Sequence, residues 1–111
     1  MSATVGTITA AAPATTLITA VLIAPLAEET IYRRGLDDTL NRIGLHPIAL
    51  PAVSGAIFAA AHLHITTSAS TIAVLAVIGA TLTTARRASG GRLTPSIVIH
   101  AIINATALTA L

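Results

Sequence analysis

From Ser2 to Ala27 the chain carries no ionisable side chain, and directly after this run stand Glu28-Glu29-Thr30-Ile31-Tyr32-Arg33. An uncharged run of this length predicts a membrane helix, since about 20 predominantly apolar residues span a ~30 Å hydrocarbon core. In lipid only helices and closed barrels satisfy every backbone N–H and C=O internally, so the run constrains the whole fold. Charges at the end of it are costly, at roughly 2.5 to 3.5 kcal/mol each at the centre of a membrane helix, and they therefore mark a functional site.

The composition agrees with a membrane chain: 54% hydrophobic, 9% charged, mean hydropathy +0.86, far from an average soluble domain. At 111 residues it makes one domain, 1–111. With one Phe, one Tyr and no Trp the aromatic belt is nearly absent, which leaves the arginines as interfacial anchors. No cysteine is present, so disulfides, thiolate chemistry and Cys-based metal sites are excluded. All six basic residues are Arg, in two short clusters beside apolar runs, and the net charge of +2 does not point to nucleic acid. The lysine-free, Ala- and Thr-rich composition inclines towards a bacterial protein.

The fold class predicted is all-α: a polytopic bundle of about four transmembrane helices, over about 5–42, 48–65, 70–87 and 94–110. Pro13 and Pro25 should kink or break the first, and Gly44 and Pro47 stop it. No basic segment precedes it, unlike a cleaved signal peptide. Thr94-Pro95 opens the fourth, with Thr as cap and Pro at the first position. Ser89-Gly90-Gly91 is the clearest flexible joint. Small residues four apart (Gly55 and Ala59, Ala56 and Ala60, Ala76 and Ala80) either let helices approach closely or simply reflect an Ala-rich chain. If the helices alternate in direction, Arg33, Arg34, Arg42, Arg86, Arg87 and Arg92 share one side. By the positive-inside rule that side is cytoplasmic and both chain ends lie outside.

Three segments each present a polar pair four apart, hence on one helical face: Glu29 and Arg33, Phe58 and His62, His100 and Asn104. At ~1.5 Å per residue, Glu28, His62 and Asn104 lie about 15 to 22 Å from the arginine side, close enough in depth to share one cavity. Each has a duller reading. Glu29 and Arg33 could be a solvated helix-face pair, His62 and His100 hydrogen-bonded structural groups, Asn104 an interhelical link and Phe58 packing. His46 and His64 read as interfacial or loop residues without assigned chemistry, and Asp37 and Asp38 as an exposed face near the cytoplasmic end. Shared depth and spacing favour the site over independent accidents.

The ordered set Glu28-Glu29-x-x-x-Arg33, Phe58-x-x-x-His62 and His100-x-x-x-Asn104 resembles the signature motifs of the CAAX prenyl protease and bacteriocin-processing (CPBP, or Abi) family of intramembrane glutamic endopeptidases. Tyr32-Arg33-Arg34-Gly35 is similar to the family's aromatic-Arg-Gly continuation, and the resemblance runs from about Leu17 to the end. It implies peptide hydrolysis without a covalent intermediate, near the cytoplasmic surface of a bacterial cell membrane. Glu28 with His62 would bind and activate water, Glu28 as general base; His100 and Asn104 would serve the oxyanion; Arg33 would pair with Glu29. The substrate would be a peptide or membrane-protein tail, in contact with the lipid bilayer. Two His and a Glu are also zinc-ligand types, but no His-Glu-x-x-His spacing occurs and the resemblance implies no metal and no cofactor.

Relatives in that family have around eight membrane helices. About four here implies either a minimal core completed by a homo-oligomer or a partner's helices, or a truncated, inactive relative acting as an immunity or partner-binding protein. Six polar motif residues in an apolar setting favour the enzyme. The absence of cysteine makes topology directly testable with single-cysteine variants. In intact cells an impermeant maleimide should label Thr67→Cys and leave Ser89→Cys unlabelled until the membrane is opened; the reverse pattern would invert the orientation.

Overall fold

The computed structural model describes residues 14–109, and the expectations for 5–13, including the Pro13 kink, and for 110–111 lie outside them. Among the described residues the fold is all-helical, with four helices: α1 (Ala14–Arg42), α2 (Ala49–Ala60), α3 (Ala69–Ala88) and α4 (Thr94–Thr109). Two of them, α1 and α3, are long and apolar enough to cross a membrane; α2 and α4 are shorter apolar helices.

The packing is inverted relative to a soluble bundle. The buried apolar side chains among the described residues are Pro25, Leu50, Phe58, Ala59 and Leu82, whereas Glu29, Arg33, Asp37, Ser54, Thr83, Ser96 and His100 are buried too. Leu22, Ile23, Leu26, Val74, Val77 and Ile102 face outward. Water would not favour such an arrangement, because the apolar area left outside forfeits the hydrophobic term while the polar groups inside lose hydration.

α1 is one continuous rod with two π-helical stretches, Thr19–Ile23 and Thr30–Asp37. Pro25 gives the first a physical cause. The Ala24 N–H donates to the Thr19 carbonyl in the wide i→i+5 register, and the next donor in that register would be Pro25, which has no N–H. The proline is absorbed as a bulge instead of breaking the helix. Both glycine-containing stops are hydrogen-bonded caps. Gly44 (φ 91°) and Gly90 (φ 76°) take the left-handed conformation after α1 and α3. Leu45 N–H reaches Leu40 O at 3.0 Å and Gly91 N–H reaches Arg86 O at 2.9 Å, the six-to-one bonds of two Schellman caps. The stretch read as a flexible joint is therefore a closed turn.

α2 ends at Ala60, five residues before the expected Ile65. The His62 Nδ1 lies 2.6 Å from the Phe58 carbonyl, the acceptor that the His62 N–H would use in a continuing α-helix. The main chain tightens instead, with His62 N–H on Ala59 O at 3.0 Å and Leu63 N–H on Ala60 O at 3.2 Å.

Of the two readings of the small residues, close approach holds for Gly55, Ala76 and Ala80, while Ala56 and Ala60 face outward. α2 and α3 touch backbone to backbone: a Cβ on Gly79 would sit 2.9 Å from the Gly55 Cα and 2.9 Å from the Phe58 Cβ. Gly79→Ala should destabilise the bundle by about 1–3 kcal/mol through overpacking. Gly35→Ala, whose added Cβ meets only the Thr30 carbonyl at 3.8 Å, should be neutral or stabilising by up to ~1 kcal/mol. Reversible unfolding of both variants in mixed micelles checks the contrast.

Candidate active site

The centre of the bundle is built on Arg33, whose side chain is fully buried. Glu29, Arg33 and Asp37 lie four apart along α1, and the π-helical stretch between Thr30 and Asp37 takes more residues per turn than an α-helix. That offsets the forward drift of positions along an α-helix, so all three stay on one face. Arg33 Nε donates to Glu29 Oε1 at 3.0 Å, and Nη1 lies 3.5 Å from Asp37 Oδ2. Nη1 also donates to Ser54 Oγ of α2 at 2.9 Å and to Thr83 Oγ1 of α3. The Thr83 hydroxyl donates to Asp37 Oδ2 at 2.7 Å, and the Ser54 hydroxyl to Asp37 Oδ1. Three helices therefore meet on one guanidinium. Its Cζ lies 5.6 Å from the Phe58 ring centroid and 5.9 Å from that of Tyr32.

The two adjacent carboxylates have separate environments. Both oxygens of buried Glu29 are engaged, Oε1 by Arg33 and Oε2 by His100 Nδ1 at 2.8 Å. Glu28 is one third exposed at 35%, and its Oε2 lies 3.5 Å from His100 Nε2. A carboxylate only accepts, so Nδ1 of His100 carries the proton in its contact with Glu29. Beyond that contact Glu28 has no hydrogen-bond partner among the described residues.

Glu28, Phe58, His62, His100 and Asn104 line one cavity of about 100 Å³ together with Leu75, Ile78 and Ile103. It has room for a few waters, each of which takes about 30 Å³ in the liquid. His62 donates Nδ1–H to the Phe58 carbonyl, which leaves its Nε2 as an acceptor. Phe58 is packing, as one reading had it: its ring lies 4.7 Å from the His62 ring, 6.0 Å from that of His100 and 5.2 Å from that of Tyr32. Asn104 Nδ2 donates to the Ala20 carbonyl at 2.8 Å. That carbonyl is the one whose main-chain donor would be Pro25 in the π register, so Asn104 joins α4 to α1 where the proline leaves an unfilled acceptor. It does this with one of its two amide hydrogens.

Sequence reasoning and structure part company at Asp37, expected on an exposed face and found 4% exposed. Its spacing of four from Arg33, the same spacing that marks Glu29 and Arg33, was the available signal. Ser54 and Thr83 carried no such signal among the many hydroxyls of this chain. Arg33, counted with the arginines of one end, is an interior group; Arg34, Arg42, Arg87 and Arg92 are exposed. Half-buried Arg86 pairs with Asp38 at 2.7 Å and also donates to the Arg33 carbonyl. His46 accepts from the Ile48 N–H at 3.1 Å and His64 lies 2.9 Å from the Ala61 carbonyl, both exposed and outside the cavity.

A family model described as type II CAAX prenyl endopeptidase Rce1-like matches residues 10–106. No curated protein and no solved structure matches the chain.

Removing one partner of a buried ion cluster leaves the others uncompensated. Arg33→Met, which strands Glu29 and Asp37, should lower unfolding stability by about 3–5 kcal/mol. Arg34→Ala, at an exposed position, should change it by less than ~0.5 kcal/mol in the same unfolding assay.

Proposed function

Because the chain belongs to the Rce1-like type II CAAX prenyl endopeptidase family, we propose that it hydrolyses a peptide bond at the cavity between Glu28, His62, His100 and Asn104, near the cytoplasmic surface of the membrane. The family is membrane-embedded, and an outward-facing apolar surface around a polar interior suits a lipid setting. In this reading all four helices lie in the bilayer, with α2 and α4, at 12 and 16 residues, crossing it only in part.

The observation that carries the proposal is the unequal engagement of the two carboxylates around a cavity of water size. Glu29 is committed on both oxygens and acts as a fixed support. Glu28 and the Nε2 of His62 are both acceptors. A water held between them donates both hydrogens, one to each, and its lone pair is left to attack the substrate carbonyl. Glu28 takes the proton as general base and returns it to the leaving amine, so no covalent intermediate with the protein forms. The carbonyl oxygen, becoming negative, is received by the Nε2–H of His100 as an imidazolium, whose Nδ1–H stays on Glu29, and by the second amide hydrogen of Asn104. Donors fixed before the reaction need no reorganisation in the low-dielectric cavity.

The substrate class is a peptide or membrane-protein tail presented at the arginine-bearing end. The outer wall of the cavity is completed by lipid, by a second copy or by a partner's helices. Purified protein in lipid should cleave members of a panel of such tails, with and without a prenyl group. Glu28→Gln and His62→Ala should each lower kcat by at least about 100-fold, general base catalysis contributing typically 10²–10⁴-fold. Activity should survive a chelator. Equal inertness of the wild type and both folded variants would instead favour an immunity or partner-binding protein.

A further inference from the structure

Asp37 lies outside the three motifs and outside the cavity of Glu28, yet it is the more deeply tied of the acidic residues beyond Glu29. Its two oxygens receive the hydroxyls of Ser54 and Thr83, and one of them faces Arg33 Nη1 at 3.5 Å. We propose that Asp37, held by Ser54 and Thr83, is a positioning residue for the hydrolytic reaction, acting through Arg33 and Glu29 on His100. The proposal rests on the hydrolytic reading of the cavity.

The argument turns on how a guanidinium meets a carboxylate. Arg and Glu left to themselves favour a two-toothed pair, with two parallel N–H···O bonds to both oxygens. Here the pair has one tooth: Nε holds Glu29 Oε1, and Glu29 Oε2 goes to His100 Nδ1. Arg33 Nη2 is left as the buried side-chain polar atom without a hydrogen-bond partner among the described residues. Something must hold the guanidinium off the second oxygen. Nη1 is anchored at the other end of the planar group by Asp37, Ser54 and Thr83, from three helices. Because the guanidinium is a rigid plane, anchoring Nη1 sets the direction of the Nε–H bond. Remove the Asp37 charge, and the guanidinium's nearest carboxylate is Glu29 alone. It turns to take both Glu29 oxygens, Nη2 gains its partner, and His100 Nδ1 loses its acceptor. The imidazole that faces Glu28 is then free to rotate.

Two variants separate this from a role in folding alone. Asp37→Asn keeps the shape and removes the charge; Ser54→Ala keeps both charges and removes one hydroxyl, with its bonds to Asp37 and Arg33. The readouts are the ring Nδ1–H resonances of ¹⁵N-histidine-labelled protein in micelles, assigned with His100→Gln, and kcat and KM on a cleaved tail. In Asp37→Asn the His100 Nδ1–H signal should be lost while that of His62, bonded to the Phe58 carbonyl, persists as the internal reference. Its kcat should fall on the order of 10- to 100-fold, the usual effect of removing a group that orients an active-site His, with KM within about twofold. Ser54→Ala should show the same signature at smaller amplitude.

A His100 signal unchanged in folded Asp37→Asn, or unchanged kcat, would overturn the proposal. If Asp37→Asn does not fold, Ser54→Ala decides by the same criteria; if neither folds, Asp37 serves stability and the proposal fails. A wild-type protein that cleaves nothing overturns the hydrolytic reading, and the resonance of His100 then still decides whether Asp37 sets its orientation.

Discussion

One buried guanidinium facing two carboxylates holds the structure together. Arg33 contacts Glu29 and Asp37 on its own helix, Ser54 on α2 and Thr83 on α3, and through Glu29 it reaches His100 on α4. A buried ion cluster gains little net stability over apolar packing, since the desolvation of each charge offsets much of the attraction. Its force is in the asymmetry: complete, it is tolerable, and with one member missing it leaves a charge in a medium that cannot solvate it. Every helix has a share in keeping it complete.

That requirement explains the close contact of α2 and α3. Ser54 and Thr83 reach the same nitrogen only if the two helices approach without side chains between them, and Gly55 and Gly79 permit this at adjacent positions. The exterior is correspondingly apolar, as suits a membrane-embedded family whose helices have no hydrophobic drive to associate in lipid and depend on packing and polar contacts instead.

Irregularities in α1 serve the same end. Pro25 leaves a π bulge and an unfilled Ala20 carbonyl, and Asn104 fills it, docking α4 beside the cavity. The second π stretch keeps Glu29, Arg33 and Asp37 in line. Arg86 then ties α3 to the Arg33 carbonyl of that stretch, so the arginine-bearing end and the interior cluster are joined. π-bulges are frequently found at functional sites, and here both lie within a turn or two of the motif carboxylates.

Much was legible in the amino-acid order. An uncharged run ended by charges specifies helix, and spacings of four place partners on one face, so Glu29 with Arg33 and the cavity residues Glu28, His62, His100 and Asn104 could be named without coordinates. The Gly and Pro signals placed the end of α1 at Gly44 and the start of α4 at Thr94, because turn chemistry is local. What remained hidden depends on neighbours distant in the chain. Which of two adjacent carboxylates is buried and which is left open follows from where α4 places His100, 71 residues away from Glu29. Asp37 looked solvated because nothing in its local pattern reveals Ser54 and Thr83, 17 and 46 residues on, whose hydroxyls make its burial affordable. The sequence by itself determined the helices, their apolar exteriors and the residue types of the site, all of which are set by short-range periodicity and by the exclusion of charge from lipid. Only the tertiary structure decided how charge is shared inside, since a hydrogen bond between helices depends on their packing and not on the order of residues along either one.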